Sequence, residues 1–153
     1  GLDGIATGIH TCSAYALEGS ELCAIPFERF DHLSQTAPQL RQTLRQLLAA
    51  EVNRNHSHML LLGSMRAEER VISFLLDLAE RFRRRGYSPS EFMLRMTREE
   101  IGSYLRLKLE TVSRVFSRLQ GEGLLEAHGR DIRLLDAARL HDLLSKDSLH
   151  GSS

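Results

Sequence analysis

Tryptophan is absent from the 153 residues, and the chain holds only three prolines and two cysteines. Two cysteines are too few for a disulfide scaffold or a self-contained four-cysteine zinc site. No apolar run approaches the ~20 residues that a membrane-spanning helix needs. No signal peptide is legible either, so a soluble, cytoplasmic protein with no membrane partner is expected. Net charge is missing too, with 20 basic and 20 acidic side chains, which excludes a uniformly basic nucleic-acid coat, though only as an average. No nucleophile–base–acid arrangement, phosphate-cradling glycine loop or cleft-like pair of carboxylates is visible, so no enzyme is expected. The seven histidines do not converge. His56 and His58 sit two apart on a helical stretch, where their rings diverge, and no metal site is expected from them. What is present is a hydrophobic fraction of 42% and a charged fraction of 26%, enough to bury a core and too apolar for a disordered tail. The chain opens on Gly1 rather than Met, as expected of a piece of a longer chain.

The charge is unevenly placed. Residues 1–80 carry a net −4, residues 81–120 a net +6 and residues 121–153 a net −2. A local positive field attracts a polyanion whatever the total charge. A solvated basic helix face around Arg83, Arg84 and Arg85 would account for part of it equally well.

Apolar periodicity divides the chain. Thr11–Leu17 and Glu21–Ile25 read as two strands joined at Gly19-Ser20, and Phe27–Leu33 as a short helix. From Pro38 to about Leu62 the pattern is helical and carries two apolar stripes. Leu40, Leu44 and Leu47 mark one. Leu48, Val52, Asn55, Met59 and Leu62 mark the other, at the 4-3-4-3 spacing of a coiled-coil seam. A twin helix across a two-fold axis would satisfy the second stripe, with polar Asn55 fixing register. A single helix in a broad core is the alternative. A further helix is expected over Arg66–Arg85 with Val71, Leu75, Leu78 and Phe82 inward and Gly86 as its C-cap, followed by a strand over Phe92–Met96.

Thr97 and Glu100 fit a capping box that opens a helix over 97–105, burying Ile101 and Leu105. Gly102 offers room for another helix to approach. After a turn over 105–108, a second helix starts near Leu109 and runs to about Glu122. Val112, Val115, Phe116 and Leu119 form its inward face, and Glu110, Ser113, Arg114 and Ser117 repeat that spacing on the opposite face. Two such helices suggest a helix-turn-helix whose second helix enters the major groove; an ordinary helical hairpin has the same pattern. Arg can donate two bonds to guanine, and Glu can accept from cytosine. Leu124–Ala127 and Ile132–Leu134 read as a hairpin, making the unit a winged helix-turn-helix. A helix over Asp136–Leu144 closes it, and a frayed tail follows Ser145. Thr97, Thr111, Ser117, Arg118 and the hairpin-tip Arg130 are placed to contact DNA phosphates, although Arg130 could be merely exposed.

Glu110-Thr111-Val112-Ser113-Arg114, preceded by Met96-Thr97-Arg98-Glu99-Glu100-Ile101-Gly102-Ser103-Tyr104-Leu105, resembles the recognition unit of the CRP/FNR family of homodimeric bacterial transcription regulators. The E-x-x-S-R form is that of the FNR branch. The similarity continues through Arg85-Gly86-Tyr87-Ser88-Pro89, Ala67-Glu68-Glu69-Arg70, Leu60-Leu61-Leu62 and Cys23-Ala24-Ile25-Pro26-Phe27, and so covers nearly the whole chain. It implies a mainly α (α+β) fold: the end of a β-roll sensor domain (residues 1–37), a long dimerisation helix (38–64), a winged helix-turn-helix (65–147) and a tail (148–153). Much of the sensor would then lie upstream of Gly1. The resemblance also implies a TTGAT-type inverted repeat as target, read by Glu110 and Arg114 with Ser113 as an auxiliary.

FNR-type regulators sense oxygen with a [4Fe–4S] cluster on four cysteines. Cys23 matches the one in the roll; the other ligands are absent from this chain. A plain free thiol is the alternative. Cyclic-nucleotide binders of the family place an Arg before Ser or Thr to hold the phosphate. Here the pair is His10-Thr11, so cyclic AMP is not expected. Control by haem-bound gas or a redox thiol stays open, as does a helical interaction module that binds protein rather than DNA. Activators of the family touch RNA polymerase through exposed loops, and Gly19–Glu21 and Tyr87–Phe92 are candidates by position, although both could be plain turns.

Overall fold

The computed structural model describes residues 4–5 and 7–147, and the side chains of residues 57, 58, 60, 62, 146 and 147 are outside that description. The expected tail over 148–153 and the side chain of Leu62 in the expected seam thus lie outside the described residues. Contacts divide the chain into two compact units that meet between His58 and Met59.

In the first unit, Pro26 holds an extended backbone (φ −57°, ψ 135°) immediately before α1 (Phe27–Thr36). Pro38 opens α2 (Pro38–Ser64), where a residue without an N–H costs nothing. Ser34 is buried and ties the two helices: its hydroxyl donates to the Asp31 carbonyl (2.7 Å), and its own carbonyl accepts from Arg41 Nε (3.2 Å). Along α2, Leu40 and Leu44 are half-buried. Leu48, Val52 and Met59 are 37%, 55% and 70% exposed, and Asn55 is exposed as well. Those four positions of the expected second stripe therefore stand uncovered among the described residues.

The two strands expected over Thr11–Leu17 and Glu21–Ile25 do not form; residues 9–26 hold only bends and irregular backbone. Tyr15, Leu17, Leu22 and Ile25 are all exposed. A two-stranded hairpin is marginal without further strands or a helix to cover one face, and no described residue covers these.

The second unit starts with the end of α2 and continues through α3 (Ala67–Arg84), β1 (Glu91–Met93), α4 (Arg98–Leu105), α5 (Leu109–Gly121), β2 (Leu125–His128), β3 (Asp131–Leu134) and α6 (Ala137–Asp147). The deepest positions of its core are aliphatic: Val71, Leu75, Ile101, Leu105, Val112, Leu119 and Leu140 are sealed from solvent. Each such side chain contributes roughly 1.5–3 kcal/mol by burial. Phe92 stacks on Phe82 with centroids 5.2 Å apart, so the end of the expected Tyr87–Phe92 surface loop points into the core.

The three strands form an antiparallel sheet in the order β1-β3-β2, with Phe92 opposite Ile132 and Ala127 opposite Ile132 from the other side. Strand β1 stops short of the expected Met96. Leu94 turns inward, its N–H donating to the Arg130 carbonyl (2.7 Å), and the chain goes straight on to cap α4. Gly129, at φ +62°, supplies the positive φ that the two-residue turn between β2 and β3 requires. On the solvent face Arg133 pairs with Glu91 (2.9 Å) and approaches Glu126 (3.9 Å). No described helix is long and apolar enough to cross a membrane.

Candidate nucleic-acid interface

Helix α4 is fixed at its start by a reciprocal cap. The Thr97 N–H donates to Glu100 Oε2 (2.6 Å), and the Glu100 N–H donates to Thr97 Oγ1 (3.2 Å). The Thr97 backbone and hydroxyl together hold the Glu100 carboxyl below the usual carboxylate range.

The turn from α4 to α5 is tight. Arg106 takes the left-handed conformation at φ 53°, and the Leu107 N–H donates back to the Gly102 carbonyl (2.8 Å). A Cβ on Gly102 would lie 2.6 Å from the Leu107 carbonyl oxygen. The small residue thus admits the turn itself, where the sequence pattern suggested room for a neighbouring helix.

Val112, Val115, Phe116 and Leu119 turn inward from α5. On the opposite side Glu110, Arg114 and Ser117 are exposed, while Thr111 and Ser113 are half-buried. The Arg114 guanidinium reaches Thr111 Oγ1 at 3.4 Å, a long contact that leaves most of its donors to solvent. Glu110, Ser113 and Arg114 therefore form one outward patch at the start of α5, and the expected base-reading set is brought together.

The expected phosphate contacts divide. Arg130 is exposed at the hairpin tip, and its charge reaches Glu100 of α4. Arg118 instead lies between two carboxylates, Glu68 of α3 (2.6 Å) and Glu122 (2.8 Å), which raise its pKa further. It braces the far end of α5 against α3. The Arg118–Glu122 pair is legible from its helical spacing, whereas Glu68 is 50 residues away and gives no local signal. A second residue that the spacing does not single out is Arg98, whose guanidinium carbon sits 3.6 Å from the Phe116 ring centroid.

Cys23 and Cys12 are both exposed. Among the described residues no three His, Cys, Asp or Glu side chains gather as a metal site would require. A [4Fe–4S] cluster takes four thiolates, so the donor set of these 153 residues does not fit one.

Two short helices across a tight turn, backed by a three-stranded wing, define a winged helix-turn-helix domain. Residues 69–143 match the Crp-like helix-turn-helix domain. Over 148 residues the chain is 47% identical to the transcriptional regulatory protein Btr of Bordetella pertussis, covering 97% of this chain and 61% of Btr. It is 48% identical over 140 residues to the transcriptional activator protein Anr of Pseudomonas aeruginosa, covering 92% of this chain and 57% of Anr. The solved structure of FixK2 from Bradyrhizobium japonicum superposes with a TM-score of 0.69 at 38% identity, covering 76% of this chain and 57% of FixK2. The chain belongs to the CRP/FNR family. It spans 57% to 61% of the length of Btr and Anr.

Proposed function

We propose that this chain is the DNA-binding part of a homodimeric transcription regulator of FNR type, acting on a TTGAT-like inverted repeat. The observation that carries the reading is the outward display of Glu110, Ser113 and Arg114 on a helix whose other face is sealed into the core. Arg114 donates to guanine, Glu110 accepts from the paired cytosine, and Ser113 assists. Thr97, Thr111, Ser117 and Arg130 serve the flanking phosphates, which position the protein without reading sequence. The deciding experiment is a mobility-shift titration of the chain against a TTGAT inverted repeat and a scrambled duplex. Tighter binding to the repeat, falling steeply with added salt, is expected; equal binding to both duplexes counts against the reading.

Dimerisation uses the stripe of Leu48, Val52, Asn55, Met59 and Leu62 on α2, the first four of which are exposed. Val52→Glu puts a charge in the middle of that seam. It is expected to shift the sedimentation coefficient from dimer to monomer, and an unchanged coefficient rejects the seam.

Oxygen control rests on Cys23 together with ligands outside these 153 residues. In the complete protein, Cys23→Ala is expected to abolish the visible absorption of an anaerobically assembled cluster; full absorption in the variant removes Cys23 as a ligand. RNA polymerase is the further partner of an activator in this scheme, met at the exposed residues 19–21 and 87–91.

A further inference from the structure

Four cations of the basic block are held in ion pairs. Arg81 pairs with Asp77 (2.6 Å), Arg83 and Arg84 share Glu80 (2.7 and 2.8 Å), and Arg118 lies between Glu68 and Glu122. Arg98 differs. Its guanidinium lies over the Phe116 ring, 3.6 Å from the centroid, and among the described residues it makes no hydrogen bond or ion pair. Its two acidic neighbours do not engage it. Glu100 is committed to the Thr97 cap, and Glu99 is exposed to solvent. Arg98 is half-buried, and that burial alone draws its pKa below the usual arginine value, with no carboxylate opposing it.

A guanidinium stacked on a ring has lost much of its freedom and part of its water, yet it keeps all five N–H donors around the edge of its plane. Such a group is prepared for a strong acceptor with two oxygens side by side. Its surroundings narrow the choice. Phe116 belongs to the same helix as Arg114, Thr97 immediately precedes Arg98 in the chain, and the hairpin-tip Arg130 acts electrostatically on Glu100, two residues beyond Arg98. Arg98 thus sits where α4 packs on α5, the helix that carries Arg114. When a recognition helix lies in the major groove, the preceding helix crosses the sugar-phosphate backbone.

We propose that Arg98, held in place by Phe116, donates to a DNA backbone phosphate beside the groove that α5 enters, and so positions Glu110 and Arg114 on their bases. This rests on the DNA-binding reading above. It assigns Arg98 an anchoring role that is blind to sequence, separate from base reading by Arg114.

The test compares the wild-type chain, Arg98→Gln and Arg98→Lys by fluorescence anisotropy across a salt series. The probes are the TTGAT repeat, a scrambled duplex, and repeats carrying one neutral methylphosphonate at each backbone position in turn. Arg98→Gln is expected to weaken both unmodified duplexes by the same factor, about tenfold or more. It should also lower the slope of log affinity against log salt by about one per protomer. At one backbone position the methylphosphonate should cost the wild type affinity and cost Arg98→Gln nothing. Should Arg98→Gln fail to fold, Arg98→Lys carries the same scan: it keeps the charge but loses the paired donors, and the penalty at that position is expected to shrink. An unchanged salt slope, or a scan identical in wild type and variants, overturns the proposal even where melting temperature falls, because Arg98 would then only brace Phe116. A wild-type chain that binds no duplex overturns the DNA-binding reading itself, and this proposal with it.

Discussion

Arg114→Ala is expected to cost about 1–3 kcal/mol at each TTGAT half-site and to relax preference at one base pair of each. Both protomers of a dimer lose the contact, so the affinity for the full repeat falls by the square of the half-site factor. The structure explains why the loss should be this clean. Arg114 is exposed, and its one partner is a long contact to Thr111, so truncation leaves no buried group unsatisfied and creates no cavity. Stability should stay within ~0.5 kcal/mol of wild type, as for other surface changes. Anisotropy titrations against repeats with each base pair changed in turn check the claim. Equal losses on cognate and scrambled DNA would show that Arg114 touches phosphate rather than base.

Gly102→Val is expected to be the most damaging single change at the helix-turn-helix, at about 3 kcal/mol of stability or more. Even the first added carbon would meet the Leu107 carbonyl oxygen at 2.6 Å. That oxygen cannot swing aside cheaply, because the same residue's N–H is bonded to the Gly102 carbonyl at 2.8 Å. Glycine in a helix costs roughly 0.5–1 kcal/mol against alanine, too little for the helix-propensity gain to offset the clash. Relief requires opening the turn, which rotates α5 away from α4 and carries Glu110 and Arg114 with it. Thermal unfolding should shift to lower temperature, and DNA binding should be lost even well below the new midpoint. A midpoint equal to wild type would mean that the turn opens at no cost and that Gly102 does not hold it.

The helices were legible because each declares itself locally. Pro38, the Thr97–Glu100 box and the inward spacing of Val112, Val115, Phe116 and Leu119 place α2, α4 and α5 within a residue or two of their observed bounds. The hairpin was legible from Gly129 between two apolar runs. The failures share one cause, which is dependence on something distant in the chain. Thr11–Leu17 and Glu21–Ile25 have strand-like composition, but a strand needs a neighbour. Strand β1 ends early because its partner runs out: Leu94 still bonds the Arg130 carbonyl in register, but Arg130 already belongs to the hairpin turn. At the interface, the outward residues of α5 follow from a helical wheel. The Glu68–Arg118 bridge and the Arg98–Phe116 stack join separate elements, and no spacing rule reaches across them.

The sheet order has one more consequence. Strand β3 is the middle strand, and its two neighbours come from either side of the helix-turn-helix in the chain, β2 after it and β1 before it. The hairpin is therefore stitched shut by a segment made earlier in synthesis than the part that would meet the duplex. A fragment trimmed to begin at α4 would leave β3 with one bare edge of unpaired amides and carbonyls, an invitation to stick to other chains. Any excision meant to carry the reading head and its wing therefore has to include the strand upstream of both.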